Sequence, residues 1–117
     1  MASTYATVRT ADGTVVCERC LVADAPWVRA KGLLGRSDLP EDEGILLRPA
    51  SSIHMFFMRF PIDAVFLSRD LTVVRVVSNL APWRMASKFR AHSVLEVAAG
   101  TCKRAGVREG DRLTLAA

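Results

Sequence analysis

The stretch SIHMFFMRFPIDAVFL, residues 52–67, carries one histidine and one aspartate in a run that is otherwise almost wholly apolar and is interrupted by a proline. An ionisable group in apolar surroundings must be hydrogen-bonded, paired or shifted in pKa, because burial of a bare charge is costly. His54 and Asp63 are therefore the first residues to consider for a site. The run after Pro61 has the apolar content and length of a deeply buried strand.

The chain around this run has the composition of one globular domain. It has 117 residues, of which 50% are apolar and 24% are charged, and a chain of this length buries about two thirds of its unfolded surface. We therefore treat residues 1–117 as a single domain. No stretch approaches the roughly 18 to 20 apolar residues that span a bilayer, and the first residues lack the pattern of a secretion signal. These features predict a cytoplasmic location.

The three cysteines predict reduced thiols, since an odd number in a domain of this size does not suggest a disulfide framework. Cys17 and Cys20 form a C-x-x-C sequence inside a predicted strand. An offset of three in a strand places the two side chains on opposite faces, which argues against a shared ligand. A structural zinc needs four ligands, and only His54 and His92 could complete the set. We expect no metal and no cofactor.

Turn residues divide the chain into short β-rich segments, which predict a mainly β fold: a compact sandwich or barrel-like domain with one or two short helices. The dipeptide Asp12-Gly13 predicts a hairpin between residues 4–9 and 14–22. A second hairpin is predicted at 62–68 and 71–78. Further strands are predicted at 45–48, 54–59, 93–98 and 112–115, and helices at 26–35 and 101–105. Residues 80–92 are predicted to form a long irregular loop, of a length typical of functional segments.

Five segments resemble the domain of unknown function 192 family. They read RAKGLLGR, LPEDEGILL, IHMFFMRFPIDAVFL, SVLEVAAG and GVREGDRL, in this order over residues 29–113. The resemblance implies a compact, mainly β domain without an assigned activity or cofactor. Many members place lysine, asparagine and threonine between the methionine and the proline of the third segment, whereas Arg59 and Phe60 stand there in this chain. A function of that polar insert is therefore not carried over.

Positive charge is concentrated in one part of the chain. The net charge is +4, and residues 71–95 contain basic side chains but no Asp or Glu. Trp83, Arg84, Lys88, Phe89 and Arg90 interleave aromatic with basic residues, a combination typical of single-stranded nucleic-acid binding. The alternative is a solvated loop whose aromatic rings cover the core. We favour this alternative, because no recognised nucleic-acid motif accompanies the segment.

The leading functional hypothesis is a non-catalytic binding or accessory module for a small ligand or an extended peptide. Its cleft would lie between Phe56, Met58 and the loop at 80–92. The predicted ligand-binding residues are Arg36, His54, Met58, Asp63 and Glu96, and no catalytic residue is assigned. For Asp63 the simpler interpretation is structural, as an acceptor for backbone amides or a partner of an arginine.

The alternative from another class is a small hydrolase or lyase. In that hypothesis Asp63, Glu96 and His54 carry out acid and base chemistry, since two carboxylates close together separate their pKa values. It requires the three side chains to converge within hydrogen-bond reach, directly or through one water. The sequence does not determine that distance, nor the oligomeric state.

Overall fold

Nine short strands and one short helix make up the regular structure of the part of the chain that the computed structural model describes, residues 4–24, 33 and 35–117. The strands are β1 (Thr4–Arg9), β2 (Val15–Ala23), β3 (Glu43–Leu47), β4 (Ser52–His54), β5 (Ile62–Leu67), β6 (Val73–Leu80), β7 (Met85–Ser87), β8 (Ser93–Ala98) and β9 (Thr114–Ala116). The helix, α1 (Thr101–Ala105), lies between β8 and β9.

Seven of these strands form one sheet in the order β6-β5-β8-β3-β2-β1-β9, while β4 and β7 form a separate two-stranded ribbon. Strands β2 and β3 run parallel, and the other neighbouring pairs of the sheet are antiparallel. A bridge between Thr72 and Arg112 joins the segments next to β6 and β9, which lie at opposite edges of the sheet. The sheet therefore curls into a half-barrel, and the mainly β, barrel-like prediction is confirmed.

Most of the predicted elements are present. Both hairpins form, as β1–β2 and β5–β6, and α1 ends at Gly106, whose φ of 72° is the left-handed conformation that glycine accommodates. The predicted helix at 26–35 falls almost entirely outside the described residues. Two predictions are wrong in detail: a turn follows β4 where a strand was expected up to residue 59, and β7 lies inside the predicted irregular loop.

Two apolar cores lie on the two faces of the sheet. The inner core, inside the curl, consists of Val8, Val16, Cys17, Cys20, Leu46, Val65, Leu67, Val73, Leu95, Val97, Cys102, Ala105, Val107 and Leu113. The outer core consists of Ala23, Leu33, Leu39, Ile45, Leu47, Ile53, Met55, Ile62, Ala64, Phe66, Leu80, Ala86 and Val94. Ile53 and Ala86 belong to β4 and β7, so the ribbon covers the outer face. Burial on both faces explains why β5 and β8 are buried at every position.

The prediction that Cys17 and Cys20 point to opposite faces is wrong. Ala6 pairs with Cys20 and Val8 with Cys17, so three steps on β2 oppose two on β1. This β-bulge adds one residue to β2 and brings both thiols into the inner core. The Cys20 thiol hydrogen-bonds to Cys17, which lowers the pKa of Cys17 and raises that of Cys20.

Gly44 allows β2, β3 and β8 to approach one another closely. A Cβ atom at this position would lie 3.0 Å from the Glu96 carbonyl oxygen, 3.1 Å from Cys17 Sγ and 3.1 Å from Val97 Cγ1. The Cys17 and Val97 side chains are held in place by packing, and the Glu96 carbonyl belongs to the backbone. The absence of a side chain is therefore a packing requirement at this point of the sheet.

Gly44→Ala should destabilise the fold by about 1–3 kcal/mol, because the added methyl group overpacks the inner core. Urea unfolding monitored by circular dichroism measures the change. Gly110→Asn is the control, since Gly110 has open space around it and a φ of 91° that asparagine tolerates better than other residues. Equal destabilisation by both substitutions would contradict the crowding at Gly44.

Candidate functional site

Asp63 is a fully buried structural anchor. Its Oδ1 accepts the N–H of Asn79 at 2.8 Å, and its Oδ2 accepts the N–H groups of Gly100 at 3.1 Å and Cys102 at 3.0 Å. Three backbone donors from the end of β6 and the start of α1 therefore share one carboxylate on β5. Charge-assisted hydrogen bonds of this kind are about twice as strong as neutral ones. Both carboxylate oxygens are directed at N–H groups of the protein backbone.

The same carboxylate affects its neighbours on the inner side of the sheet. Burial, together with the negative charge of Asp63, raises the pKa of the Cys102 thiol to about 12. The thiol therefore stays protonated at neutral pH and has no nucleophilic character. Asn79 adopts a φ of 54°, a conformation that asparagine tolerates, and its N–H is directed to Oδ1.

Asp63→Asn should cost about 2 kcal/mol of folding free energy, because an amide nitrogen would face at least one of the three backbone donors. Chemical denaturation at pH 7 checks this. Asp111→Asn is the matched control: the Asp111 carboxylate accepts one backbone N–H, from Arg108 at 2.8 Å, in a half-buried turn. If the loss at Asp63 were no greater than the loss at Asp111, the anchoring role would be refuted.

Glu96 lies on the opposite face of the sheet from Asp63. Asp63 pairs with Val97, while Glu96 pairs with Ala64 on β5 and with Ile45 on β3, both in the outer core. A shift of one residue along a strand reverses the face of the side chain. Glu96 is 6% exposed, and the described residues give its carboxyl no hydrogen-bond partner. Burial alone raises its pKa from 4.5 to about 7.

The raised pKa makes stability depend on pH. The folded state binds the Glu96 proton more tightly than the unfolded state, so stability is greatest below pH 4.5 and falls as pH rises towards 7. Glu96→Gln removes the charge. The change in folding free energy caused by this substitution should therefore be about 3 kcal/mol more favourable above pH 8 than at pH 4.5. Urea midpoints at the two pH values test this, with the exposed Glu109→Gln as control. A pH-independent effect of Glu96→Gln would contradict the burial of an unpaired carboxyl.

The predicted site residues do not form one cluster. His54 is exposed at the end of β4, Asp63 faces the inner core and Glu96 faces the outer core. Arg36 forms an ion pair with Glu43, with Nη2 3.1 Å from Oε1. Met58 is half-buried and packs against the outer core. The convergence that acid and base chemistry would need among His54, Asp63 and Glu96 is absent.

The structure instead shows an exposed surface that we call the aromatic ribbon: strands β4 and β7 with the turns at residues 55–58, 81–84 and 88–91. Ser52 pairs with Ser87, Ile53 with Ala86 and His54 with Met85. The middle pair points into the outer core, and the two flanking pairs are exposed. The Arg75 guanidinium on β6 donates to the Ser87 carbonyl, which attaches the ribbon to the sheet.

Each of the three turns carries an ordinary residue in a conformation that usually requires glycine. The hydrogen bonds Met58 N–H to Met55, Arg84 N–H to Ala81 and Ala91 N–H to Lys88 close the turns. The third residue of each turn has a positive φ: 66° at Phe57, 69° at Trp83 and 67° at Arg90. This is the pattern of a type II turn, in which a residue with a side chain is strained at the third position.

The expectation that the rings of Trp83 and Phe89 cover the core is wrong, and two further apolar side chains of the ribbon are exposed as well. Phe57 is 71% exposed, Trp83 58%, Phe89 83%, and Met85 66%. Trp83, Met85 and Phe89 each have a basic neighbour in the sequence, and the sequence offers one signal for the turn at 81–84. Pro82 precedes Trp83 at the second position of its turn, where proline is typical of type II turns, which favours the positive φ of Trp83 but does not determine whether its ring is exposed.

Other parts of the described structure offer weaker candidates for a site. Two cavities, of about 260 and 310 Å³, lie beside α1, the first lined in part by Arg104 and the second by Lys103. Neither includes a predicted site residue. The described residues contain no group of three or more metal-ligating side chains placed to hold an ion. Among them there is also no helix of the length and apolarity needed to cross a membrane.

The fold and the ribbon define a small β half-barrel protein with an exposed aromatic surface. The sequence profile of the domain of unknown function 192 family, described as an uncharacterized ACR, matches residues 7–115, and the chain belongs to this family. The match begins in β1, upstream of the segments that first suggested the resemblance. No curated protein matches the chain.

Two solved structures share the fold. A candidate transcription regulator from Sinorhizobium meliloti 1021 is 28% identical, with a TM-score of 0.85 over 98% of this chain and 96% of that one. A protein of unknown function from Novosphingobium aromaticivorans DSM 12444 is 26% identical, with a TM-score of 0.80 over 96% of this chain and 84% of that one. The chain is therefore similar to both over almost its whole length.

Proposed function

We propose that this protein is a non-catalytic binding module and that its ligand lies along the aromatic ribbon. The sequence suggested a small ligand or an extended peptide in a cleft beside Phe56 and Met58. The outer face of the ribbon is instead open, with exposed side chains on both strands and aromatic rings at both ends. Such a surface suits an extended ligand better than an enclosed small molecule.

The observation that carries this proposal is the placement of Phe57 and Trp83. Both rings are largely exposed, so they add little apolar burial to folding, and both residues adopt a positive φ that costs about 1 kcal/mol or more in a residue other than glycine. Glycine would serve the turns better. Features that reduce stability without a folding benefit cluster at functional sites, because binding is where their benefit appears.

The backbone holds the two rings in place before any ligand arrives. The Met55 N–H donates to the Arg84 carbonyl at 2.7 Å, and the Trp83 N–H donates to the Met55 carbonyl at 2.7 Å. The two turns are thereby joined, and the ring centroids of Phe57 and Trp83 lie 4.8 Å apart. A preorganised surface loses less conformational entropy on binding.

Two further expectations accompany the proposal. We infer that the chain acts as a single domain in the cytoplasm, which the three free cysteines support, since thiols persist in reducing compartments. The Sinorhizobium relative is described as a candidate transcription regulator, a description that is compatible with a binding role for this chain. The separation of His54, Asp63 and Glu96 leaves the hydrolase or lyase hypothesis without a geometric basis in the described residues.

A thermal-shift screen tests the proposal. The panel contains metabolites, random dodecapeptides, oligonucleotides and anionic vesicles, tested against the wild type and a Phe57→Asn/Trp83→Asn variant. Asparagine tolerates the left-handed backbone, so the variant should remain folded. At least one probe should raise the wild-type Tm by about 5 °C at ten times its Kd, and the variant should lose this shift.

Tyr5→Ser is the matched control, because Tyr5 is another exposed aromatic residue, with the Arg19 guanidinium 4.2 Å from its ring centroid, but lies on β1. Its response to the panel should equal that of the wild type. The proposal fails if no probe stabilises the wild type, or if the double variant keeps every shift.

A further inference from the structure

The chain segments that form the aromatic ribbon carry charge of one sign. Residues 49–62 and 71–95 contain no Asp or Glu. Four basic side chains in these ranges are exposed: Arg59, Arg84, Lys88 and Arg90. The described residues form no ion pair with any of the four. Unpaired cations around an aromatic surface complement an anionic ligand that also has planar groups.

One end of the ribbon carries a stack of rings that a further ring can extend. The His54 and Phe56 rings lie 4.8 Å apart at an interplanar angle of 30°, and the Phe56 and Trp83 rings lie 6.0 Å apart at 28°. Trp83 ends this stack and is largely exposed, and the Phe57 ring packs against it at a tilted angle of 59° with the ring centroids 4.8 Å apart. A nucleobase can stack on such a ring regardless of its identity, since every base has a π face.

The other end of the ribbon repeats the combination of an aromatic ring and a cation. Phe89 lies in the turn after β7, and the Arg90 guanidinium carbon is 5.4 Å from its ring centroid. Between the two ends, the outer face presents the Ser52 and Ser87 hydroxyls, the His54 imidazole and one apolar side chain, Met85, which is paired with His54. A lipid-inserting surface is continuous and apolar, whereas rings separated by hydrogen-bonding groups match the alternation of bases and sugar-phosphate.

We propose that the ligand of the aromatic ribbon is a single-stranded nucleic acid. This inference rests on the proposed function, and it specifies which ligand the binding module takes. Bases stack on Trp83 and Phe89, and the phosphates lie against the basic residues that flank the rings. DNA and RNA share this chemistry, because neither the rings nor the cations distinguish the two sugars.

Fluorescence anisotropy with labelled dT12, U12 and a 12-base-pair duplex tests this inference at 50 mM salt. Both single strands, or one of them, should bind, and the duplex should bind more weakly because its bases are not free to stack. The logarithm of the association constant should fall against the logarithm of salt concentration with a slope of about −2 to −3, as expected when four cations contact a single strand.

Substitutions at the ribbon separate stacking from charge. Trp83→Asn should weaken binding about 10- to 100-fold, and Trp83→Phe should restore most of the loss. Arg90→Asn should reduce the salt slope by about 0.7. Asparagine suits the positive φ at both positions, and an unchanged unfolding temperature will show that each variant is folded. Tyr5→Ser should bind like the wild type.

Three results would overturn the inference. The first is no binding of either oligonucleotide at 50 mM salt. The second is wild-type affinity in folded Trp83→Asn. The third is ribbon-dependent binding of anionic vesicles or of a dodecapeptide without binding of oligonucleotides, which would leave the binding module in place with another ligand. Failure of the whole panel would refute the proposed function as well.

Discussion

The carboxylate of Asp63 is the interaction on which the inner half of the structure depends. It connects β5, the strand next to the β6 edge of the sheet, to the end of β6 and to the start of α1. A helix of five residues is too short to be stable alone. The N–H groups at its start have no acceptor within the helix, and Asp63 provides one. With α1 fixed, Cys102 and Ala105 complete the inner core.

The second constraint is that the sheet is covered on both sides. The curl encloses one face, and the ribbon with the segment around Leu33 and Leu39 covers the other. This arrangement allows continuous apolar strands in the centre. It also means that a polar residue on either face needs a partner. Asp63 has three partners, whereas Glu96 has none among the described residues. The carboxylate of Asp63 therefore binds backbone N–H groups, whereas the pKa of Glu96 is raised by its burial.

The aromatic ribbon differs from the rest of the fold in exposing large apolar side chains on a strained backbone. Its inner residues, Ile53 and Ala86, pack like any core residues, but its turns hold Phe57 and Trp83 in strained and exposed positions. Through most of the sheet, apolar residues are buried and have backbone conformations that suit their residue type. The turns of the ribbon depart from both rules, and such a departure is expected where selection acts on binding and not on stability.

The sequence alone determined the local architecture. The turn residues and β-rich segments predicted both hairpins, and Gly106 predicted the end of α1. The apolar run up to Leu67 also marked Asp63 as a residue that needs partners. These features depend on neighbours in the chain, and the pattern of residues therefore contains them.

Only the tertiary structure decided which groups meet. The bulge in β2 turned Cys17 and Cys20 to one face, and the register of β5 against β8 placed Asp63 and Glu96 on opposite faces. Whether Trp83 lies in the core or in solvent depended on how β4 and β7 pair across about thirty residues of chain. Strand register and the layer that covers a face are long-range properties, and no local pattern specifies them.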